Sequence, residues 1–238
     1  MYGVAVEGVQ EHLHTREFGM PADPQRNTHK HVRQVFGLTM LDTRHPEIRR
    51  LRYEAQPMLH GQKVWHASFL IMDYLRQRRL HMGARVLEVG CGWGLVGIYC
   101  AKTFHAQVTG LDADAAVFPY LQLHAQLNGV HIETRQGSFA DLSAPELAAF
   151  DLIAGADICF WDELVDPLYR LVQHGVTTGV AEILIADPDR PPFDELCARC
   201  GQHSNAAVLD WEITKPVAVG GKILRIIGNA SRAPAPYQ

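Results

Sequence analysis

The stretch VLEVGCGWGLVGI, residues 86–98, joins two apolar runs through three glycines. The first run is typical of a buried strand and the second of a helix, with Gly90, Gly92 and Gly94 between them. Glycine at a strand-to-helix turn lets the backbone approach a ligand closely. Leu95 stands where a dinucleotide-binding fingerprint would have its third glycine. The loop therefore predicts a ligand site that differs from the usual NAD site.

The composition is that of an ordinary globular protein with one α/β domain. The chain has 238 residues, of which 47% are hydrophobic and 20% charged. A formal net charge of -4 gives no general electrostatic reason to expect nucleic acid as a partner. The longest apolar stretches are far shorter than a membrane span, and the N-terminus lacks the pattern of a signal peptide. We expect a cytoplasmic protein with no membrane partner, and its oligomeric state is left open.

The cysteines favour a reducing compartment and no metal site. There are five of them, an odd number, and most lie inside apolar segments. Reduced core thiols are the simplest interpretation. Cys197 and Cys200 have the spacing of a zinc-binding pair, but no second pair follows at a suitable distance. We therefore expect no bound metal.

From Gln62 onward the pattern alternates between helices and strands. VWHASFLIMDYLRQRRL predicts a helix from about 64 to 80. Further helices are expected between the strands, one of them with a possible kink at Pro119. The first five predicted strands are ARVLEVG, AQVTGLD, HIETRQG, FDLIAGA and AEILIAD. Strands that alternate with helices indicate a parallel sheet with right-handed crossovers.

The last two predicted strands break the parallel pattern. AVLDWEITK and GKILRIIG are separated only by PVAVGG. Neighbouring parallel strands need a crossover of about a dozen residues or more, so this pair must be antiparallel. The sequence therefore predicts a doubly wound α/β fold whose mostly parallel sheet ends in an antiparallel C-terminal hairpin.

Asp112 adds a second ligand signal. It ends the second strand of the alternating series, about twenty residues after the glycines, where an acid can accept hydrogen bonds from both hydroxyls of a ribose. The helix that follows the glycines offers its N-terminal amides to an anionic or electron-rich group. In this order and at this spacing, the two features favour a nucleoside-type ligand.

The motif E-V-G-C-G-W-G at 88–94, followed by L-D-A-D at 111–114, resembles the class I S-adenosylmethionine-dependent methyltransferases. The resemblance covers about residues 62–228. It implies a Rossmann-like sheet of seven strands and S-adenosyl-L-methionine as the cofactor. On this basis the chain divides into an N-terminal extension or lid (1–60), the methyltransferase domain (61–230) and a loose tail (231–238).

The resemblance also implies roles for single residues. Gly90, Gly92 and Gly94 would pass beneath the methionine and ribose of the cofactor. Glu88 would hold the glycine loop and contact the methionine amine, and Asp112 would bind the ribose hydroxyls.

Four further positions match cofactor contacts of the family. Ser138 and Phe139, in QGSFADL, match the positions that edge the adenine, and a core aromatic is the less favoured alternative for Phe139. Trp65 and Ala156 complete the predicted cofactor-binding set.

The stretch GADICF, residues 155–160, bears on the substrate. It resembles the D-x-x-Y signature of the seven-strand protein lysine methyltransferases, with Phe160 in place of the tyrosine. LIADPDRPPF, residues 184–193, is similar to the matching stretch of the lysine methyltransferases of the electron-transfer flavoprotein β subunit. The resemblance implies a protein lysine as the methyl acceptor.

Three residues are the predicted catalytic set. Asp157 is the candidate to orient the acceptor amine or to take its proton, unless it only caps the following helix. Phe160 and Trp161 could form apolar or cation–π walls around the amine. Simple packing under the next helix is the alternative for Trp161.

Three functions compete at this point. The first is a protein N-methyltransferase that acts on a lysine side chain. The second is a small-molecule methyltransferase with a closed pocket for an amine, with residues 1–60 as a lid. The third is a catalytically silent nucleoside-binding interaction module. The intact Glu88, glycine loop and Asp112 argue against the third, since a silent copy need not keep them.

Overall fold

The apolar run before the glycines forms the central strand of the fold, and the run after them forms a helix. The structure, a computed structural model, describes residues 29–58 and 61–228. Short 3-10 helices lie at His29–His31, Ala115–Val117, Phe139–Asp141 and Asp162–Leu164. The other elements, in chain order, are β1 (Val32–Val35), β2 (Leu38–Leu41), α1 (Pro46–Glu54), α2 (Ala67–Arg78), β3 (Arg85–Val89), α3 (Leu95–Phe104), β4 (Gln107–Asp112), α4 (Phe118–Leu127), β5 (Glu133–Gln136), α5 (Ala144–Leu147), β6 (Leu152–Ala156), α6 (Val165–Thr178), β7 (Glu182–Asp187), α7 (Pro191–Cys200), β8 (Ala206–Ile213) and β9 (Val219–Ile227).

The main sheet has seven strands in the order β5-β4-β3-β6-β7-β9-β8. The strands from β3 to β7 are parallel, whereas β9 runs antiparallel to both β7 and β8. From β3 the chain adds β4 and then β5 on one side of this strand. It then crosses to the other side of β3, where it adds β6 and β7. This arrangement confirms the predicted Rossmann-like sheet with an antiparallel C-terminal hairpin.

Helices cover both faces of the sheet because side chains alternate along each strand. Val86 of β3 packs in the core cluster that holds α2 and α3. Its neighbours Leu87 and Val89 pack in the cluster that holds α6 and α7. A strand buried on both faces reads as a continuous apolar run, which explains why β3 could be predicted from sequence.

Two sequence expectations about helices change in detail. The helix predicted from about 64 to 80 is the shorter α2, so Trp65 lies in the segment before it. The kink suggested at Pro119 is wrong, because this proline lies in the first turn of α4. The first turn of a helix tolerates proline, since its N–H groups have no partner within the helix.

Before the sheet, residues 29–58 form a small unit that packs against α4. β1 and β2 make an antiparallel hairpin. The Asn128 side chain exchanges two hydrogen bonds of 2.8 Å with the backbone of Thr39, and the Tyr120 hydroxyl donates to the Ala55 carbonyl at 3.0 Å. Whether 1–60 acts as an extension or a lid stays a prediction, because residues 1–28 and 59–60 lie outside the described residues. The predicted tail, 231–238, lies outside them as well.

Other features of the described residues bear on the remaining expectations. None of the helices within 29–58 and 61–228 is long and apolar enough to cross a membrane. The same ranges contain no group of three or more His, Cys, Asp or Glu side chains that could hold a metal ion. All five cysteines are buried free thiols.

Candidate active site

The glycine loop turns sharply at the carboxyl end of β3. Gly90, Gly92 and Gly94 all adopt left-handed backbone conformations, with φ of +60°, +51° and +72°. A side chain at Gly90 would collide with Ile158, and one at Gly94 would collide with Leu121. A side chain at Gly92 would instead meet nothing within 4 Å. Packing thus explains two of the glycines, while Gly92 leaves open space for a ligand.

Glu88 fastens the loop to the first turn of α3. Its buried carboxylate accepts hydrogen bonds from the backbone N–H groups of Gly97, at 2.9 Å, and Val96, at 3.3 Å. Burial raises the pKa of Glu88 to about 8, although these two hydrogen bonds favour the ionised form. A nearby positive charge would stabilise the ionised form of this buried carboxylate. The predicted contact with the methionine amine stays a prediction.

Asp112, at the end of β4, lies on the other side of the loop. One of its carboxylate oxygens accepts from the Gly92 N–H at 2.9 Å, and the other accepts from the Asp114 N–H at 3.0 Å. Burial raises the pKa of Asp112, and these backbone hydrogen bonds oppose the rise. Each oxygen has a second lone pair, so the carboxylate can also accept hydrogen bonds from a diol.

A cavity of about 210 Å³ lies in front of the loop, and a smaller one of about 40 Å³ adjoins it beside Glu88. Each residue of the predicted site borders one of the two cavities. The larger cavity is bordered by Trp65, Gly90, Gly92, Asp112, Ser138, Phe139, Ala156, Asp157, Phe160 and Trp161. The smaller one is bordered by Glu88 and Gly94, together with Trp65, Gly90, Gly92 and Ala156. The fold thus brings together residues that lie up to 96 positions apart in the sequence.

Ser138 and Phe139 follow β5 at the edge of this cavity. The Ser138 hydroxyl accepts from the Ala140 N–H at 3.1 Å, and this bond begins the short helix Phe139–Asp141. Phe139 is partly buried against the core beneath α6 and also borders the cavity. Both interpretations of Phe139, core aromatic and ligand contact, are therefore compatible at this position.

Asp157 occupies a strained turn directly after β6. Its φ is +64°, and its N–H donates to the Ala186 carbonyl at 2.8 Å. The carboxylate forms an ion pair with Arg190 and accepts from the Ala67 N–H at the start of α2. The alternative that Asp157 caps the following helix is wrong, because that 3-10 helix begins after Trp161 with no side-chain cap. Burial raises the pKa of Asp157, and Arg190 opposes the rise.

Phe160 and Trp161 form the aromatic part of the cavity wall. Their rings meet edge to face, with centroids 4.7 Å apart. Trp161 is 50% exposed, so simple packing under the next helix does not describe it. The Arg190 guanidinium carbon lies 5.9 Å from the centroid of the Phe160 ring. The aromatic wall of the cavity therefore lies close to a charged group, Arg190.

Three residues of this region were not predicted from sequence. Arg190 contacts Asp157, and Lys63 lies over the Trp65 ring at 4.0 Å. Trp93 is buried below the loop, where its indole N–H donates to the Gly61 carbonyl at 2.9 Å. Arg190 could have been found from sequence, since it comes three residues after Asp187 at the end of the predicted strand AEILIAD, beside the strand that Asp157 follows.

Comparison with known proteins finds a match for the central part of the chain. Residues 86–175 match a family described as a methyltransferase domain. This stretch therefore resembles a methyltransferase domain. The match makes S-adenosylmethionine the cofactor of the domain, and the open space beside Gly92 and the acceptor oxygens of Asp112 fit a ligand with a ribose.

Named relatives match a similar share of the chain. A ubiquinone biosynthesis O-methyltransferase from Xanthomonas axonopodis pv. citri (strain 306) is 37% identical over 93 residues, which is 39% of this chain and 38% of the relative. A protein of the same name from Xylella fastidiosa (strain M23) is 38% identical over 97 residues, 40% of this chain and 39% of the relative. The chain thus matches about two-fifths of the length of these relatives.

A solved structure extends the likeness in fold over most of the chain. The crystal structure of a methyltransferase from Pyrococcus furiosus has a TM-score of 0.50 and 17% sequence identity, and the likeness covers 76% of this chain and 96% of that one. Together the comparisons confirm the predicted class I methyltransferase domain. They do not support the finer likeness to protein lysine methyltransferases, since both relatives are named ubiquinone biosynthesis O-methyltransferases and ubiquinone is a small molecule.

Proposed function

We propose that this protein is an S-adenosylmethionine-dependent methyltransferase whose methyl acceptor is a small molecule. The observation that carries the proposal is the 210 Å³ cavity, which is lined by the glycine loop and Asp112 together with Asp157 and an aromatic wall. The names of the two relatives favour a small-molecule acceptor over a protein. The cytoplasmic location and the absence of a nucleic-acid partner stay predictions.

The two ends of the cavity suit different tasks. Asp112 and the Gly92 backbone would hold the ribose, and Phe139 with Ser138 would edge the adenine. Glu88 and Trp65, at the smaller cavity, would border the methionine part. Bound there, the cofactor supplies an activated methyl group on a sulfonium. Most of the rate enhancement then comes from holding the acceptor in line with that methyl group.

Asp157 is the proposed catalytic group on the acceptor side. An attacking hydroxyl or amine must lose a proton during or before methyl transfer, and a carboxylate within hydrogen-bond reach can orient it and take that proton. Asp157 lies at the carboxyl end of β6, where ligands bind in open α/β sheets, and it borders the cavity. Phe160 and Trp161 would pack against the apolar body of the acceptor.

A protein lysine is the second candidate acceptor. The observation in its favour is the half-exposed Trp161, which borders the same cavity as Asp157. A lysine side chain could reach Asp157 past the tryptophan, and an ammonium beside an aromatic ring is stabilised by cation–π attraction. Phe160 lacks the hydroxyl of the lysine methyltransferase signature, which weakens this alternative.

The fate of a labelled methyl group separates the two acceptors. The protein would be incubated with methyl-labelled S-adenosylmethionine and a cell lysate, and proteins would then be separated from small molecules. In the small-molecule fraction, we expect the label in a methylated product that is distinct from S-adenosylmethionine itself. Label that stays with a protein band and is recovered as methyl-lysine would overturn the small-molecule proposal and favour the alternative.

The substitution Asp157→Asn tests the residue assigned to the acceptor. It keeps the shape and one acceptor oxygen but removes the charge. We expect turnover in the lysate assay to fall by about 10²–10⁴-fold, the usual contribution of a general acid or base, while calorimetry shows cofactor affinity close to that of the wild type. Asp162→Asn, in the next short helix, is the matched control and should retain turnover. Full activity in Asp157→Asn would remove Asp157 from the reaction.

A further inference from the structure

Arg190 is anchored on a buried carboxylate at the end of β7. Asp187 has no exposed surface, and one of its oxygens accepts from the Arg190 backbone N–H at 2.8 Å. The Arg190 side chain adds contacts from Nε, at 3.1 Å, and Nη2, at 2.5 Å, to the other oxygen. Backbone and guanidinium are thus both fixed to one carboxylate, which leaves little freedom in the direction of the side chain.

The same Nη2 atom that contacts Asp187 also contacts Asp157. Asp157 borders the larger cavity, whereas Asp187 does not. The guanidinium therefore lies between a structural carboxylate and the carboxylate proposed to handle the acceptor. With both acids ionised, the three side chains carry a net charge of -1, which disfavours an anionic acceptor group.

Other groups also act on Asp157, and none of them replaces Arg190. The Ala67 N–H, at the start of α2, donates a hydrogen bond to the carboxylate, and Lys63 attracts it from the segment before that helix. Asp187 repels it from β7. Among the neighbouring charges, Arg190 has the largest effect on the pKa of Asp157, and it favours the ionised form.

We infer that Arg190 is a positioning residue for methyl transfer: anchored on Asp187, it holds the carboxylate of Asp157 in place at the cavity. This inference rests on the proposed function for its catalytic meaning. The Asp157 side chain is only 6% exposed, in a turn with positive φ, and Arg190 supplies a counter-charge that favours its ionised form. Without Arg190, burial would leave Asp157 protonated at a higher pH, and a protonated acid cannot take a proton from the acceptor.

The ionisation of Asp157 can be measured without knowing the acceptor. The full chain would be labelled with ¹³C at aspartate carboxyl carbons, and the Asp157 resonance would be assigned by its loss in Asp157→Asn. Removing an opposite charge at contact distance changes a carboxyl pKa by about 1–3 units, so Arg190→Gln should move the Asp157 titration upward by that amount. Arg190→Lys keeps the positive charge, so its Asp157 titration should stay close to that of the wild type.

A second variant guards against misfolding. Arg190→Gln leaves Asp187 buried without its partner, which can destabilise the fold. The double variant Asp187→Asn/Arg190→Gln removes both charges. It should still raise the titration of Asp157, by a smaller amount, because the effect of Arg190 on this pKa exceeds that of Asp187. Thermal melting verifies that each variant is folded at the titration temperature.

Arg199 provides the matched control. It lies in α7, the helix that Arg190 precedes as the N-cap residue, and it forms an ion pair with Asp166, with Nη1 2.6 Å from Oδ1; neither residue borders the cavity. Arg199→Gln should leave the Asp157 titration unchanged. In the lysate assay, the pH below which the rate falls should be higher in Arg190→Gln than in the wild type. In Arg199→Gln it should be unchanged.

A folded Arg190→Gln variant whose Asp157 titrates as in the wild type would overturn the inference, whatever its activity. Failure of the proposed function would look different. In that case the wild type would transfer no methyl group to any acceptor, while the titration of Asp157 would still respond to Arg190.

Discussion

Asp112 is expected to contribute directly to the affinity for the cofactor. It holds the Gly92 N–H and borders the cavity, so Asp112→Ala removes a charged acceptor from the proposed ribose site. A hydrogen bond to a charged group contributes about 1.5–3 kcal/mol, which predicts a loss of affinity of roughly ten- to a hundredfold. Calorimetry with S-adenosylmethionine measures it. Asp210→Ala, on the edge strand β8, is the control and should bind like the wild type.

Glu88 should make cofactor binding depend on pH. Because burial raises its pKa to about 8, Glu88 is largely protonated at pH 6 in the ligand-free protein and becomes ionised as the pH rises. A positive methionine amine beside it would favour the ionised form. Affinity for S-adenosylmethionine should therefore increase between pH 6 and 7.5, by at most about tenfold per pH unit.

The control for this prediction is Glu88→Gln, which cannot ionise. Its affinity should be lower and nearly flat over the same range, provided that melting shows a folded protein. The same raised pKa means that ionisation costs folding free energy as the pH rises from about 4.5 towards 8. A wild-type affinity that does not change with pH would remove Glu88 from contact with the amine.

At the scale of elements, the unit of β1, β2 and α1 is joined to α4 by a buried histidine. His124 Nε2 accepts from the Leu41 N–H at 3.2 Å, so its Nδ1 carries the proton and donates to the Tyr120 carbonyl at 2.7 Å. The ring also stacks on Trp93 below the glycine loop, with centroids 5.1 Å apart. Protonation of Nε2 would break the bond to β2.

His124 should therefore make the fold sensitive to acid. Burial lowers its pKa below 6.5, so its contribution to stability is complete above about pH 6.5 and is lost as the pH falls below that value. His124→Phe should lose about 1–3 kcal/mol at pH 7.5 from its broken hydrogen bonds, yet lose less than the wild type on going to pH 5. Denaturant unfolding at the two pH values measures this. If the wild type and His124→Phe respond equally to acid, while the exposed His131→Gln behaves as the wild type, His124 is not the acid-sensitive group.

The same unit marks where prediction from sequence stopped. The strands β3, β6 and β7 could be predicted because each is a mostly apolar run between turns, and the final hairpin because its connection is short. β1, β2 and α1 carry little periodicity of their own; they are ordered by tertiary contacts such as the pair between Asn128 and Thr39, 89 residues apart. The position of Arg190 beside a predicted strand end was open to prediction, but its ion pair was not, since that depends on a partner 33 residues away in the chain.

At the scale of the molecule, the sheet order explains why one site is formed from distant motifs. The direction in which successive strands are added reverses between the neighbouring strands β3 and β6. Open α/β sheets bind ligands at such a switch point, outside the carboxyl ends of the strands. The glycine loop, Asp112 and Asp157 follow β3, β4 and β6 at that edge. The central claim is that this edge holds the cofactor with its methyl group facing Asp157.

A crystal structure of the protein with S-adenosylhomocysteine tests this claim most directly. We predict density in the cavity in front of the glycine loop, with both ribose hydroxyls within hydrogen-bond distance of Asp112. The amino acid end should lie beside Glu88, and the sulfur should face Asp157. Density at another surface, or a ligand in this cavity with its adenine rather than its sulfur against Asp157, would contradict the claim.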